Sequence, residues 1–177
     1  LGELCHDKYE VLIDSRFSDE NLEVGTMYFP GESSQEILLS AHLCHPFMAN
    51  DDLSGVVVLM AVAEWLAQLE SRRYGYRVLI GPETIGSLAY LAGHAELLPD
   101  IKAGLFCEML GNDDVFSLQH SHQGDSMMDK ALWLALAVGE NQFRQGEFRQ
   151  VVRNDEAVIN GPGVNIPCPS LSRAAPW

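Results

Sequence analysis

Three carboxylates and two histidines stand where apolar segments of this chain stop. The run Ile37-Leu38-Leu39-Ser40-Ala41 ends at His42, and Leu43-Cys44-His45-Pro46 follows before Asn50-Asp51-Asp52-Leu53-Ser54-Gly55. A second run, Tyr76 to Ile80, leads into Gly81-Pro82-Glu83, and a third, Ala103 to Cys107, ends at Glu108. Imidazoles and carboxylates are the ligands of hydrolytic zinc, which takes about three of them and keeps one position open. A two-metal site adds a bridging carboxylate between ions roughly 3.5–4 Å apart. His42, His45, Asp51, Glu83 and Glu108 are therefore candidate metal ligands, and Glu83 is also a candidate general base. Each residue alone has a plainer reading. A histidine at a strand end is more often hydrogen-bonded or solvated than a ligand. Asp-Asp-Leu-Ser-Gly suits a helix N-cap, and a glutamate after a proline suits the first turn of a helix. The ordered recurrence at three strand ends points to one shared site.

The elements that would position these residues read as alternating strands and helices. Tyr9 to Asp14 and Leu22 to Phe29 read as a hairpin or adjacent strands. Ile37 to Ala41 is apolar enough for a central strand, and Leu53 to Leu69 is a helix capped by Asp52 or Ser54. Tyr76 to Ile80 is a strand, Leu88 to Leu97 a short helix, and Ala103 to Cys107 another buried strand. Val115 to Gln119 is a strand and Asp125 to Glu140 a helix with one apolar face. Phe148 to Val152 reads as a further strand, and Val164 to Leu171 as an extended segment. The expected fold is α/β and three-layered, a mixed central sheet with helices on both faces. Its site lies beyond the carboxyl ends of the strands. Trp65 and Trp133, at apolar helix positions, read as core, and Cys44 and Cys107 as small buried hydrophobes.

Composition narrows the partners. The 177 residues are 47% hydrophobic and 20% charged, ordinary for a globular protein and enough for one domain with a core. A formal net charge of -14 argues against nucleic acid and against an anionic membrane surface. The most apolar stretch, Val56 to Leu69, spans 14 residues and includes Glu64, too short to cross a bilayer. The four cysteines form no CxxC pair, which favours a reducing, cytoplasmic setting. A homo-oligomer is compatible with all of this. The chain opens at Leu1 and closes at Ala175-Pro176-Trp177, and it reads as residues 1–177 of one domain, excerpted without its C-terminal part.

Ala41-His42 at a strand end, with Ala49-Asn50-Asp51-Asp52-Leu53-Ser54-Gly55 opening a helix, resembles the zinc aminopeptidase superfamily. Three further motifs resemble, more closely, a bacterial aminopeptidase-like domain-of-unknown-function family. They are His42-Leu43-Cys44-His45-Pro46, Pro82-Glu83-Thr84-Ile85-Gly86-Ser87, and Asn154-Asp155-Glu156 followed by Gly161-Pro162-Gly163 and Ile166-Pro167. The resemblance covers nearly the whole chain. It implies a zinc-exopeptidase-like fold holding one or two zinc ions, with His42 the first-metal histidine and Asp51 the bridging aspartate. Glu108 stands where the superfamily has an aspartate ligand. Glu83 stands where it has two consecutive glutamates, so it is either base or ligand. The residue two after the first histidine is an aspartate in the superfamily and Cys44 here, with His45 a second candidate ligand beside His42. The superfamily's last histidine ligand has no counterpart after Ile166 to Ser172, and His120 and His122 read as loop residues. The resemblance also implies a cis peptide at Asp51-Asp52.

The activity implied is hydrolysis of an N-terminal peptide bond or a related amide, with a small peptide or amide as substrate. One rival is a module of the same fold that binds a metal or ligand without turnover, suggested by the single glutamate and the missing histidine. Another is an amide deacylase in surface-polysaccharide synthesis.

Overall fold

The structure is a computed structural model describing residues 9–174; Cys5 and the closing residues 175–177 lie outside them. In chain order it holds β1 (Gly25–Phe29), β2 (Glu36–His42), α1 (Leu53–Gln68), β3 (Gly75–Gly81), α2 (Ile85–Gly93), β4 (Ile101–Glu108), β5 (Ser117–Gln119), α3 (Met127–Gly139), β6 (Arg144–Gly146), α4 (Asp155–Ile159) and β7 (Ser170–Ser172). A 3-10 turn at Ala95–Leu97 follows α2.

β2 is buried at all seven positions because it is covered on both faces and both edges. The strands form one sheet in the order β1-β3-β2-β4-β7-β5-β6. β2 runs parallel to β3 and β4, β4 to β7, and β5 to β6, while β1 lies antiparallel to β3 and β5 to β7. Side chains of β2 alternate between two cores. Ile37, Leu39 and Ala41 pack with Val56, Leu59, Ala63 and Leu66 of α1, and Met128 of α3 borders the same cluster. Leu38 packs instead with Leu79, Leu91 of α2, Phe106 and Ile159 of α4. This is the mixed three-layer α/β arrangement that the alternating pattern predicts.

The chain reverses direction across the sheet at β2. It passes through α1 to β3 on one side, then through α2 on the opposite face to β4 on the other side. Such a switch opens a crevice at the carboxyl ends of the two strands, here at His42 and Glu108.

Other expectations need correction. Tyr9 to Asp14 forms no strand, and the antiparallel partner of β1 is β3. Alternating β-formers make a strand only where an edge is available to pair with. Phe148 to Val152 is not a strand either: Arg149 turns with φ 65°, and the amides of Val151 and Val152 both donate to Gln119 Oε1 at 2.7 and 2.9 Å. β6 forms instead from the preceding residues. The second helix begins at Ile85 rather than Leu88. Trp65 and Trp133 are exposed, not core. α1 is apolar around most of its surface, so hydrophobicity alone does not tell its buried stripe (Gly55, Val56, Leu59, Ala63, Leu66) from its outer face.

Two polar clamps complete the frame. Arg77 of β3 holds Glu36 of β2 through two bonds of 2.7 and 2.8 Å and lies 4.6 Å over the Tyr28 ring. Arg72 donates to the carbonyls of Leu66 and Leu69, closing the C-terminal end of α1. No helix among the described residues is long and apolar enough to cross a membrane.

Candidate metal centre

Asn50, Asp52 and Ser54, alternate residues of the motif that starts α1, bind three successive amides of the loop after β4. Asp52 Oδ1 accepts from Met109 N at 2.9 Å, Ser54 Oγ from Leu110 N at 2.9 Å, and Asn50 Oδ1 from Gly111 N at 2.7 Å. Asp52 also caps α1, accepting from Gly55 N at 3.0 Å, and its second oxygen accepts from His42 N at 3.4 Å. One fully buried carboxylate thus ties together the end of β2, the start of α1 and the end of β4. Burial pushes Asp52 up to about 7 against these amides. The N-cap reading of this string holds for Asp52, and Asp51 beside it is the residue that faces His42.

Held by this frame, His42, Asp51 and Glu108 converge. His42 Nε2 lies 3.0 Å from Asp51 Oδ1 and 3.3 Å from Glu108 Oε1. His42 and Glu108 are buried, whereas Asp51 is 55% exposed and opens the cluster to solvent. The His42 ring stacks on Phe106, with centroids 6.2 Å apart. Burial is the largest influence on His42 and lowers its pKa, but the Glu108 hydrogen bond, Cys44 and the Asp52 charge outweigh it and raise it to about 10. The cluster therefore draws positive charge to the position of Nε2.

Glu83 and Cys44 form an overlapping group with His42, their ligand atoms all within 4.8 Å of one another. Cys44 Sγ lies 3.6 Å from His42 Nδ1, whereas Asp51 and Glu108 face Nε2. Cys44 is exposed, which corrects the expectation of a buried hydrophobe; Cys107 is buried as expected. His45 is exposed with Nδ1 3.0 Å from Pro46 O and joins neither candidate group among the described residues. His120 and His122 are likewise outside both groups.

The backbone is irregular immediately after each acidic residue of the site. The Asp51-Asp52 peptide is cis, as the resemblance implies, and Thr84 and Met109 have φ of 62° and 51°. Positive φ at non-glycine residues costs on the order of 1–3 kcal/mol and gathers at functional sites.

The donor set fits a divalent cation of the zinc type. Ligand atoms about 2.0–2.2 Å from a tetrahedral zinc stand roughly 3.3–3.6 Å from one another, close to the separations around Nε2. Glu108 Oε2 is buried with no hydrogen-bond partner in a protein interior that otherwise satisfies such atoms. A cation beside it would supply what it lacks.

Three residues escaped the sequence reading as site components. Asn154 Nδ2 donates to Glu108 Oε1 at 2.7 Å. Asp155 accepts from Thr84 N at 3.1 Å and from Ser87 Oγ. Glu156 accepts from Asn154 N at 2.8 Å and from Gln119 Nε2 at 3.2 Å. Their signal in the sequence is the Asn154-Asp155-Glu156 motif itself, which carries the family resemblance without assigning these residues a role.

A family model described as domain of unknown function, DUF4910, matches residues 13–176. The chain belongs to that family. Over 174 residues this chain is 38% identical to a Clostridium acetobutylicum protein provisionally named for polysaccharide biosynthesis, with an aminopeptidase-like domain. The match covers 98% of this chain and 40% of that protein, so the chain spans less than half of its relative. A crystal structure from C. acetobutylicum, provisionally titled a peptidase, superposes with a TM-score of 0.85 at 37% identity, over 97% of this chain and 40% of that one. A zinc aminopeptidase from Bacillus subtilis superposes with a TM-score of 0.68 at 17% identity, over 83% and 39%. The fold is that of the zinc exopeptidases.

Proposed function

We propose that this chain carries the metal site of a zinc-dependent, aminopeptidase-like hydrolase that cleaves an N-terminal peptide bond or a related amide. The observation that carries the reading is His42 Nε2 set against Asp51 and Glu108, with Glu108 Oε2 buried and bare. His42, Asp51 and Glu108 would hold the ion, which matches the three protein ligands of a catalytic zinc site. Zinc, when bound, would polarise a carbonyl and acidify a water toward neutrality. Glu83, exposed and within 4.8 Å of one of the His42 ring nitrogens, takes a proton from the attacking water at its carboxylate and returns it to the departing amine. Asp51, the exposed member, faces the side from which substrate arrives.

The name of the C. acetobutylicum relative supports a second reading with the same chemistry, deacylation of an amide in polysaccharide synthesis. One set of measurements tests both. Zinc content is determined on the full-length protein, and turnover is followed with aminoacyl-arylamides and with N-acylated amino sugars. Stoichiometric zinc, with turnover of one substrate class abolished by Glu83→Gln and zinc lost in Asp51→Ala, is the expected result. Natively folded protein that takes up no zinc, with Asp51→Ala unchanged in activity, overturns the proposal. Zinc bound without turnover of either class would make the site a binding module.

A further inference from the structure

Two adjacent residues reach both halves of the site from a distant part of the chain. Asn154, the N-cap of α4, donates its amide to Glu108 Oε1 and leaves Oε2 of the same carboxylate bare. Asp155, the first residue of α4, accepts the Thr84 amide and the Ser87 hydroxyl on one oxygen. Thr84 follows Glu83 directly and holds φ 62°, ψ -55°, and it caps α2 with no side-chain hydrogen bond of its own. A β-branched residue in that conformation reverts unless its surroundings hold it, and Asp155 supplies the acceptor that does. Asn154 and Asp155 are both buried, so water does not replace these bonds cheaply.

We propose that Asn154 and Asp155 are positioning residues, which hold the carboxylate of Glu108 and the turn carrying Glu83 in fixed relation to each other. The inference rests on the metal-site reading of Glu108. Asn154 ties Glu108 Oε1, the oxygen 3.3 Å from His42 Nε2, and so fixes the orientation of the carboxylate while Oε2 keeps no partner, the role hydrogen-bonded partners play for coordinating carboxylates. Asp155 acts on the other half through backbone rather than side chain. Its charge is felt at His42 and Glu83, but its hydrogen bonds go to Thr84 and Ser87, and it sets where the Glu83 carboxylate emerges by fixing the next residue.

The test uses the full-length protein and two pairs of readouts. Asn154→Ser keeps an N-cap oxygen but is too short to reach Glu108. It is expected to fold with near-native thermal stability, to bind zinc about 10–100-fold more weakly, and to shift the visible bands of the cobalt-substituted form. Asp155→Ala is expected to keep zinc affinity within about twofold of the native value, since the ligand group is intact. It should accelerate amide hydrogen exchange at Thr84 and lower kcat rather than raise KM. Asp155→Asn, whose amide oxygen still accepts both donors, restores the exchange protection. Native zinc affinity with an unchanged cobalt spectrum in Asn154→Ser, or unchanged Thr84 exchange in Asp155→Ala, overturns the inference alone. Absence of zinc binding by the unsubstituted protein overturns the metal-site reading and the Asn154 half with it.

Discussion

Asp52 accepts three backbone amides, those of His42, Gly55 and Met109, and no other described residue could take its place without moving a strand end. A buried amide left without an acceptor costs about 1–3 kcal/mol. Asp52→Ala strips three at once and is expected to cost about 3 kcal/mol or more, measured by urea unfolding with metal removed. Asp52→Asn, which keeps one acceptor oxygen, should cost less. Equal stability of all three proteins would mean that water enters to satisfy the amides. At this scale the sequence was informative about Asp51, His42 and Glu108, because strand ends announce themselves and imidazole and carboxylate have specific chemistry. It marked Asn154 only as part of a family-like motif and gave it no role at the site. The bond from Asn154 to Glu108 crosses 46 positions of sequence, and an asparagine before a short helix looks the same whether it caps the helix or also orients a ligand. His45 has fitting chemistry too, but it stands exposed with Nδ1 3.0 Å from Pro46 O and outside both ligand groups among the described residues.

The central strands and the long helix were legible because burial on both faces leaves continuous apolar runs, and β2 and β4 end within a residue of the expected positions. The peripheral elements were not. Whether Tyr9 to Asp14 or Phe148 to Val152 forms a strand depends on which edges are free, a property of the assembled sheet. α1 carries a test of how closely its elements are fitted. An alanine in place of a helix glycine ordinarily stabilises by roughly 0.5–1 kcal/mol. At Gly55 an added Cβ would lie 2.5 Å from both carboxylate oxygens of Asp52 and from the Cys107 carbonyl oxygen. Those atoms belong to the cap of α1 and to the backbone of β4, and neither is the flexible end of a side chain. Gly55→Ala is therefore expected to lower the melting temperature, whereas Gly139→Ala, which meets nothing within 4 Å, should not. A more stable Gly55→Ala protein would show that α1 can lift from β4 without penalty.

Across the whole molecule most of the shifted buried acids among the described residues, and His42 with them, move upward. Burial pushes Asp129 up as well, but its bonds from Ser121 and Ser126 outweigh that and hold it below the usual carboxylate range. Burial raises Asp52 from 3.8 to about 7, and burial with the Glu108 charge raises Glu156 from 4.5 to about 7. His42 is raised from 6.5 to about 10 despite its burial. A raised folded-state pKa contributes stability that is complete below the unfolded value and is lost as pH climbs through the folded one. Asp52 and Glu156 thus withdraw stability between about pH 4 and about pH 7, and His42 between 6.5 and about 10. The net charge of -14 adds self-repulsion in the same direction. Metal-free protein is therefore expected to melt several degrees lower at about pH 8.5 than at about pH 5.5. Added salt screens the surface repulsion but not the buried groups, so at about 1 M salt a downward slope should persist. Zinc competes with the proton on His42, so the rise in melting temperature on adding zinc should grow with pH over the same range. A melting temperature that is flat across this range in high salt would show that the folded chain does not retain these protons. A zinc-induced rise independent of pH would show that His42 Nε2 gives up no proton when the metal binds.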